Sequence, residues 1–351
     1  MRFNIALWFT VIFLNTVNSY SQITGGQEVF KFINIPASAR IAAMGGINQA
    51  MMDRDVAFMF QNPATLSRWT HNHAHINNSF FPTGSSFLTA AYSRNFNKLG
   101  YTGFGLQYIN YGVSAETTPD GTDLGNAYAQ DLVGVVSVAR PLSNKANYGI
   151  SLKYTNSNYN NITASGIMAD VGIAFADSAE GFYTGIVLKN FGTMLGRYTK
   201  GTDERLPMDL QAGISKRLTH TPFLFSLTLH HLLTWDIRYD DPALRTTNIF
   251  DADTTGQKEK KYIADKLFRH AIFGTELYLG KVLRANIAYN HLRRMELAFN
   301  ERRGLSGFSF GLQLALNRWG FSYSYALYNT AAANNALSLY VNIGEFFPKS
   351  K

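Results

Sequence analysis

Residues Gly304–Asn329 read GLSGFSFGLQLALNRWGFSYSYALYN, two strands joined by a tight turn at Asn317 and Arg318. Along the first strand Phe308, Phe310, Leu312, Leu314 and Leu316 share one face, and Gly307, Ser309, Gly311, Gln313 and Ala315 share the other. Along the second, Trp319, Phe321, Tyr323, Tyr325 and Leu327 oppose Gly320, Ser322, Ser324 and Ala326. Side chains alternate across a strand, so a period of two sorts them into two environments. A soluble sandwich turns its large apolar face inward and leaves its polar face in water. Here the second face is also small, which suits a crowded lumen, while a band of aromatic and Leu side chains suits lipid. One hairpin serves either architecture, so recurrence decides between them.

The alternation recurs from His75 onward. Tyr148, Ile150, Leu152 and Tyr154 alternate with Gly149, Ser151, Lys153 and Thr155, and Leu283, Ala285, Ile287 and Tyr289 with Arg284, Asn286 and Asn290. Leu337, Leu339, Val341 and Ile343 close the series. Leu132–Arg140 is less clean, with valines on both faces. The pattern predicts about fourteen strands of about 10–14 residues, the length a tilted membrane strand needs. Lys153, Asp170, Lys189, Asp209, Glu276 and Arg284 all fall on the small polar face. The same residue types facing mid-membrane lipid would cost ~2–4 kcal/mol for Lys or Arg.

Connections sort by length. Asn97-Lys98, Pro141–Lys145, Asp177–Gly181, Leu218–Pro222, Gly280-Lys281 and Asn317-Arg318 are short. Gly112–Asn126, Phe191–Glu204, Leu233–Lys266 and Arg293–Arg303 are long, although the links Pro82–Ser85, Tyr159–Ile162 and Thr330–Asn335 on the same side are modest. Short turns at one end and long loops at the other is the outer-membrane arrangement, and an even strand number places both termini on the periplasmic side. The expected fold is therefore all-β: a 14-stranded antiparallel transmembrane β-barrel over residues 75–347.

Composition agrees. The chain has 351 residues, 29 Gly, 45 Phe and Tyr together, and no cysteine, which excludes disulfides and thiolate zinc sites. The formal charge is +8, but Lys and Arg are spread along the chain. A nucleic-acid binder would cluster them, so no nucleic-acid partner is expected; strand-end cations suit lipid headgroups or lipopolysaccharide. Met1-Arg2, the apolar run Ile5–Leu14 and Ser19-Tyr20-Ser21 have the pattern of an export signal over residues 1–21; the alternative is an N-terminal membrane anchor. The run is too short to span a bilayer comfortably.

Residues 22–74 lack sustained alternation. Ala37–Met44 predicts a short helix ended by Gly45-Gly46, since glycine commonly follows a helix terminus. Val56–Phe60 is apolar, and Asn62-Pro63-Ala64 predicts a turn. Such a segment can fold as a plug inside a barrel; the alternative is a helix packed under a soluble sheet.

ARIAAMGG (Ala39–Gly46) and DVAFMFQNPATL (Asp55–Leu66) resemble the outer-membrane family that includes the FadL-type hydrocarbon transporters and the PorV and PorQ proteins of the type IX secretion system. GGQEVFKFINIPASARIAAMGG (Gly25–Gly46), QYINYG (Gln107–Gly112) and LHHLLTWDIRYDDP (Leu229–Pro242) are similar to the PorQ branch, and the resemblance covers essentially the mature chain. The resemblance implies a FadL-like barrel whose N-terminal hatch uses Gly45, Gly46, Asn62, Pro63 and Ala64. It also implies a non-enzymatic role in Bacteroidota: anchoring the surface complex of PorZ, PorU and PorV that joins cargo to lipopolysaccharide. The alternative within the family is a FadL-like transporter of hydrophobic small molecules. A diffusion porin fits poorly with a plugged lumen. One departure is the C-terminus, where Phe346-Phe347 is followed by Pro348-Lys349-Ser350-Lys351 instead of ending on an aromatic.

No nucleophile elbow, phosphate-binding glycine loop or HExxH motif is present, so no catalytic residue, cofactor or metal site is expected. His71, His73 and His75 alternate and could share a polar strand face. The adjacent His230 and His231 would point to opposite faces. Asp251 and Asp253 lack the spacing of a calcium loop. The loop Leu233–Lys266 carries Trp235, Arg238, Tyr239, Asp240 and Asp241, residue types enriched at binding hot spots. It is the expected docking loop for a surface partner; otherwise Trp235 and Tyr239 are girdle aromatics.

Overall fold

A computed structural model describes residues 28–160, 162–199, 204–237, 263–297, 304–328 and 333–346. The export signal, Arg238, Tyr239, Asp240, Asp241, the Asp251–Asp253 stretch and Phe347 lie outside the described residues. The strands are β1 (His73–Phe80), β2 (Ser86–Phe96), β3 (Gly100–Thr117), β4 (Asp123–Pro141), β5 (Ala146–Tyr159), β6 (Ile162–Asp177) and β7 (Phe182–Gly196). They continue as β8 (Asp209–Arg217), β9 (Phe223–Leu229), β10 (Ala271–Leu279), β11 (Leu283–Asn290), β12 (Phe308–Ala315), β13 (Trp319–Leu327) and β14 (Ala333–Asn342). Each pairs antiparallel with its sequence neighbours and β1 pairs with β14, so the fourteen strands close into a barrel.

The period of two resolves as expected. Leu152 is 55% exposed and Leu312 54%, whereas Asp170 and Glu276 are fully buried on the inner face. In the β12–β13 hairpin Leu312 pairs with Tyr323 and Leu314 with Phe321, while Gly311 pairs with Ser324 on the inside. The valines of β4 also divide: Leu132 and Val136 face out, and Val133 and Val135 are buried inward. Both faces are apolar there because the inner wall meets an apolar cluster from the N-terminal segment, including Phe58, Met59 and Phe60.

Several boundaries differ from the sequence reading. Gly112–Asn126 is not a loop: β3 and β4 continue pairing to Thr117 and Asp123, after a register shift between Asn110 and Val113. Gly112 sits there at φ 84°, and a bulge of this kind re-aims a strand without ending it. β7 likewise runs to Gly196, His291–Leu297 is a helix, and β1 starts at His73.

The chain before β1 threads the lumen. Helix Ala39–Ala43 and the 3-10 turns Val56–Phe60 and Pro63–Thr65 are fully buried. Glu28 bridges Arg205, and Val29 N donates to Arg205 O at 2.9 Å, on the long β7–β8 connection. At the other end, Ile343 N donates to Asn72 O at 2.8 Å where β14 stops and β1 begins. Glu28 thus lies at the long-loop end of the barrel and Ile343 at the short-turn end. Strand parity fixes only the ends of β1 and β14; residues 28–72 cross the lumen in addition.

Candidate functional site

The helix Ala39–Ala43 starts on Ser38, whose hydroxyl accepts from Ile41 N. It ends in a Schellman arrangement, with Gly45 N donating to Ala42 O and Gly46 N to Ile41 O at 3.0 Å. Gly45 has φ 91° and Gly46 φ 98°, which favours glycine at both. A Cβ at Gly45 would also collide with Ile272 on β10. Gly45 O accepts from Asn290 Nδ2 at 3.1 Å and from an Arg293 guanidinium at 3.0 Å, which ties the turn to the wall.

Within the helix, Arg40 is the single charge and its side chain is 1% exposed. Its guanidinium donates to both carboxylate oxygens of Glu276 on β10, at 3.1 and 3.2 Å, and to Asp53 further along the segment. Arg284 on β11 lies 3.7 Å from Asp53 and 3.5 Å from Glu276. Asp53 therefore faces two guanidinia, those of Arg40 and Arg284. Asn286 Nδ2 donates to Glu276 at 2.8 Å, so the buried charges are both paired and hydrogen-bonded, as burial requires.

Asn62 caps the turn Pro63–Thr65: its Oδ1 accepts from Ala64 N at 3.0 Å, and Pro63 takes the first position, where no N–H is needed. The Asn62 amide donates to the wall at Ile173 O, 3.2 Å, and Ile186 O, 3.5 Å. This approach needs a wall without side chains. Gly149 pairs with Gly172 across β5–β6, and Gly185 with Gly213 across β7–β8. A Cβ on Gly149 would sit 2.5 Å from Ala64 N, one on Gly172 would hit Asn62 Oδ1, and one on Gly185 would hit Gln49 O. The small face read from the sequence is therefore a glycine bed for the Asn-Pro-Ala turn.

Polar ties cluster beside that bed. Lys153 Nζ lies 2.6 Å from Asp170, Lys189 Nζ donates to Phe60 O at 3.0 Å, and Gln49 donates to Gln211. Lys189-Asn190 forms a bulge against β6, with Asn190 at φ 58° and its N donating to Asp170 at 2.8 Å. Of the HNHAH residues, His73 and His75 face inward on β1, with His75 Nδ1 3.1 Å from Asp55; His71 precedes the strand and accepts from Asn95 N. His230 and His231 do not diverge as expected. They follow the end of β9, and the left-handed φ of His231, 55°, brings their Nδ1 atoms within 2.6 Å. Trp235 is 61% exposed and stacks on His270, at 5.8 Å between ring centres. Among the described residues, no group of three His, Asp or Glu side chains is arranged to hold a metal ion.

Sequence reasoning named Gly45, Gly46, Asn62, Pro63 and Ala64 but overlooked Arg40 and Asp53. The available signal was Arg40 itself, a lone charge in a helix of small apolar residues. Such a charge, buried on all sides, must meet a carboxylate.

An apolar outer band around a closed antiparallel barrel with a polar, filled interior defines a transmembrane barrel of the outer-membrane type. The fold is that of the FadL-like barrels. The structure is similar to the Pseudomonas putida toluene transporter TodX at 12% identity, covering 88% of this chain and 98% of that one, with a TM-score of 0.54. The monoaromatic hydrocarbon channel CymD is 12% identical, covers 89% of this chain and 97% of its own, and has a TM-score of 0.47. A Pseudomonas aeruginosa FadL homologue is 8% identical over 87% of this chain and 97% of its own, with a TM-score of 0.45. No family model matches the sequence, and no curated protein matches it.

Proposed function

We propose that this barrel passes small hydrophobic molecules across the outer membrane, with residues 28–72 as its hatch. One observation carries the reading: a continuous apolar seam between the segment and the wall. Phe30 and Phe32, with Tyr111 and Tyr198, begin it at the long-loop end; Phe58, Met59 and Phe60 run it past Phe87, Ile109, Val133 and Val135; Leu66 and Tyr101 finish it near the short turns. A diffusion porin has a water-filled lumen. Methionines along the seam, Met44, Met51, Met59 and Met168, can repack around a guest because the unbranched thioether has many low-cost rotamers. The toluene transporter of similar fold supports the substrate class.

The test uses the absence of native cysteine. A Gln49→Cys/Gly213→Cys pair would join segment to wall, since a Cβ on Gly213 lies 3.2 Å from Gln49 Cβ, close to disulfide reach. Cells producing the reduced pair should take up radiolabelled toluene faster than cells without the protein, and oxidation should abolish the gain. Uptake equal to the empty control in both states rejects the reading.

A second reading is an anchor for a surface attachment complex, as the PorQ resemblance implies. Its favouring observation is that the segment is held by buried ion pairs, which suits a permanent stopper, with exposed Trp235 at the long-loop end. Affinity purification from the outer membrane would recover a large surface protein under this reading and none under the first.

A further inference from the structure

The short-turn end of the barrel holds a cavity of about 420 Å³ that neither reading of the function uses. It is walled by turns and segment together: Lys281 from the β10–β11 turn, Arg217 at the end of β8, Arg54 from the N-terminal segment, and Trp69 and Tyr183 as aromatic surfaces. From the geometry we infer a binding site for a small organic phosphate, an aromatic or similarly apolar body carrying a phosphate group.

Charge gives the first reason. The cavity is lined by Arg40, Arg54, Arg217, Lys281 and Arg284 against only Asp53 and Asp55. Arg40 and Arg284 are committed to Asp53 and to Glu276 behind it. Asp55 caps Ala57 N and faces His75. Arg54, Arg217 and Lys281 make no ion pair among the described residues. Three uncompensated cations converging from three elements suit a group with nearly two negative charges. A phosphate monoester carries about −1.5 to −2 at neutral pH, whereas a carboxylate offers one.

Geometry gives the second. Arg217 lies over the ring of Tyr278 at 4.3 Å, with the committed Arg284 on the same ring at 5.0 Å, which restrains the Arg217 guanidinium while leaving its N–H edge free of any ion pair among the described residues. Gln313 on β12 lines the same space and is 3% exposed, and its amide N–H group can donate to a phosphate oxygen. The volume exceeds what a bare phosphate fills and falls in the range of ordinary ligand pockets, about 300–1,000 Å³. Trp69 and Tyr183 supply the apolar wall for the remainder.

The experiment is calorimetric titration of the full chain in phosphatidylcholine nanodiscs with 1-naphthyl phosphate and with 1-naphthol. The phosphate should bind and the neutral naphthol should bind at least tenfold more weakly. Arg54→Gln/Lys281→Gln should weaken the phosphate at least tenfold and leave naphthol unchanged. Both side chains are exposed, so the variant should retain the heat-modifiable gel migration of a folded barrel, and Arg217→Gln gives a second, independent loss. Repeating the titration in discs containing phosphatidylglycerol separates the sources: displacement of 1-naphthyl phosphate identifies a lipid headgroup as the occupant, and no displacement a soluble phosphate. Equal binding of phosphate and naphthol, or unaltered binding by the double variant, overturns the inference. The site does not depend on hydrocarbon passage, so toluene uptake can fail while this binding holds.

Discussion

Replacing Glu276 by Leu should loosen the N-terminal segment without opening the barrel. Arg40 and Arg284 share two carboxylates, Asp53 and Glu276, and the side chains of Arg40 and Glu276 are 1% and 0% exposed. Removing Glu276 leaves two guanidinia on one carboxylate, and leaves Asn286 Nδ2 without its acceptor. Breaking one partner of a buried pair costs about 3–5 kcal/mol. If that cost falls on docking of the segment, amide exchange in Ala39–Ala43 should accelerate by roughly two to four decades, since each ~1.4 kcal/mol is tenfold. Exchange in β5 and β6, which contact neither residue, should not change. The reverse deletion, Arg40→Met, leaves Arg284 alone to face both carboxylates, 3.5 Å from Glu276 and 3.7 Å from Asp53, and should accelerate exchange as well. The pair Arg40→Met/Glu276→Leu should recover much of the loss, because an apolar replacement of a whole buried pair is often neutral or better. Hydrogen exchange followed by mass spectrometry measures all three. Unchanged exchange over residues 39–43 in Glu276→Leu, or a double variant worse than the worse single, refutes the claim that this pair pins the segment.

Other consequences are quick to check. Asn62→Ala removes the turn cap and the donor to Ile173 O, and should cost about 1–2 kcal/mol, read as faster exchange at residues 63–66. Gly185→Ala puts a methyl into the backbone at Gln49 and should block docking of the segment, whereas Gly105→Ala meets side-chain ends, Met59 Cε and the Phe60 ring, that can shift, and should assemble; thermal melts of the two would show it. Leu152→Arg places a charge on the lipid face and should destabilise the barrel by ~2–4 kcal/mol in a denaturant titration.

How much of this was legible depends on what fixes each part. The barrel was readable because lipid and lumen impose a period of two over every strand, and Phe310, Leu152 and Ile287 obey it. The extension of β3 and β4 past Gly112 was not, because that stretch clears the apolar band and its alternation carries no hydrophobic contrast. The Schellman ending at Gly45-Gly46 announced itself through glycine's freedom at positive φ. The partners of Arg40 did not, since Glu276 lies 236 residues away and only closure of the barrel brings it near. The glycine bed was visible as composition but not as purpose: Gly149 and Gly172 read as lumen filler until Asn62 lies on them.

The two kinds of contact around the segment are not evenly distributed, and that unevenness bears on how a stoppered barrel could still pass a guest. Toward β5–β8 and β10–β14 the segment is held by directional bonds: Asn62 to Ile173 O, Lys189 to Phe60 O, Arg40 to Glu276, and Ala39 N to Ser338 Oγ at 2.7 Å. Toward β3 and β4 the wall offers Gly103, Gly105, Val133 and Val135 to Met59, Phe60 and Leu66, with no such bond among the described residues. Apolar contact is non-directional and survives a shift of an ångström or two; a charge-assisted hydrogen bond does not. A guest of hydrocarbon character would therefore enter between the segment and β3–β4, displacing methionine and phenylalanine side chains while every buried ion pair stays closed. If apolar molecules pass as proposed, the segment need not leave the barrel: the ion pairs would hold it in place while the apolar seam gives way around the guest.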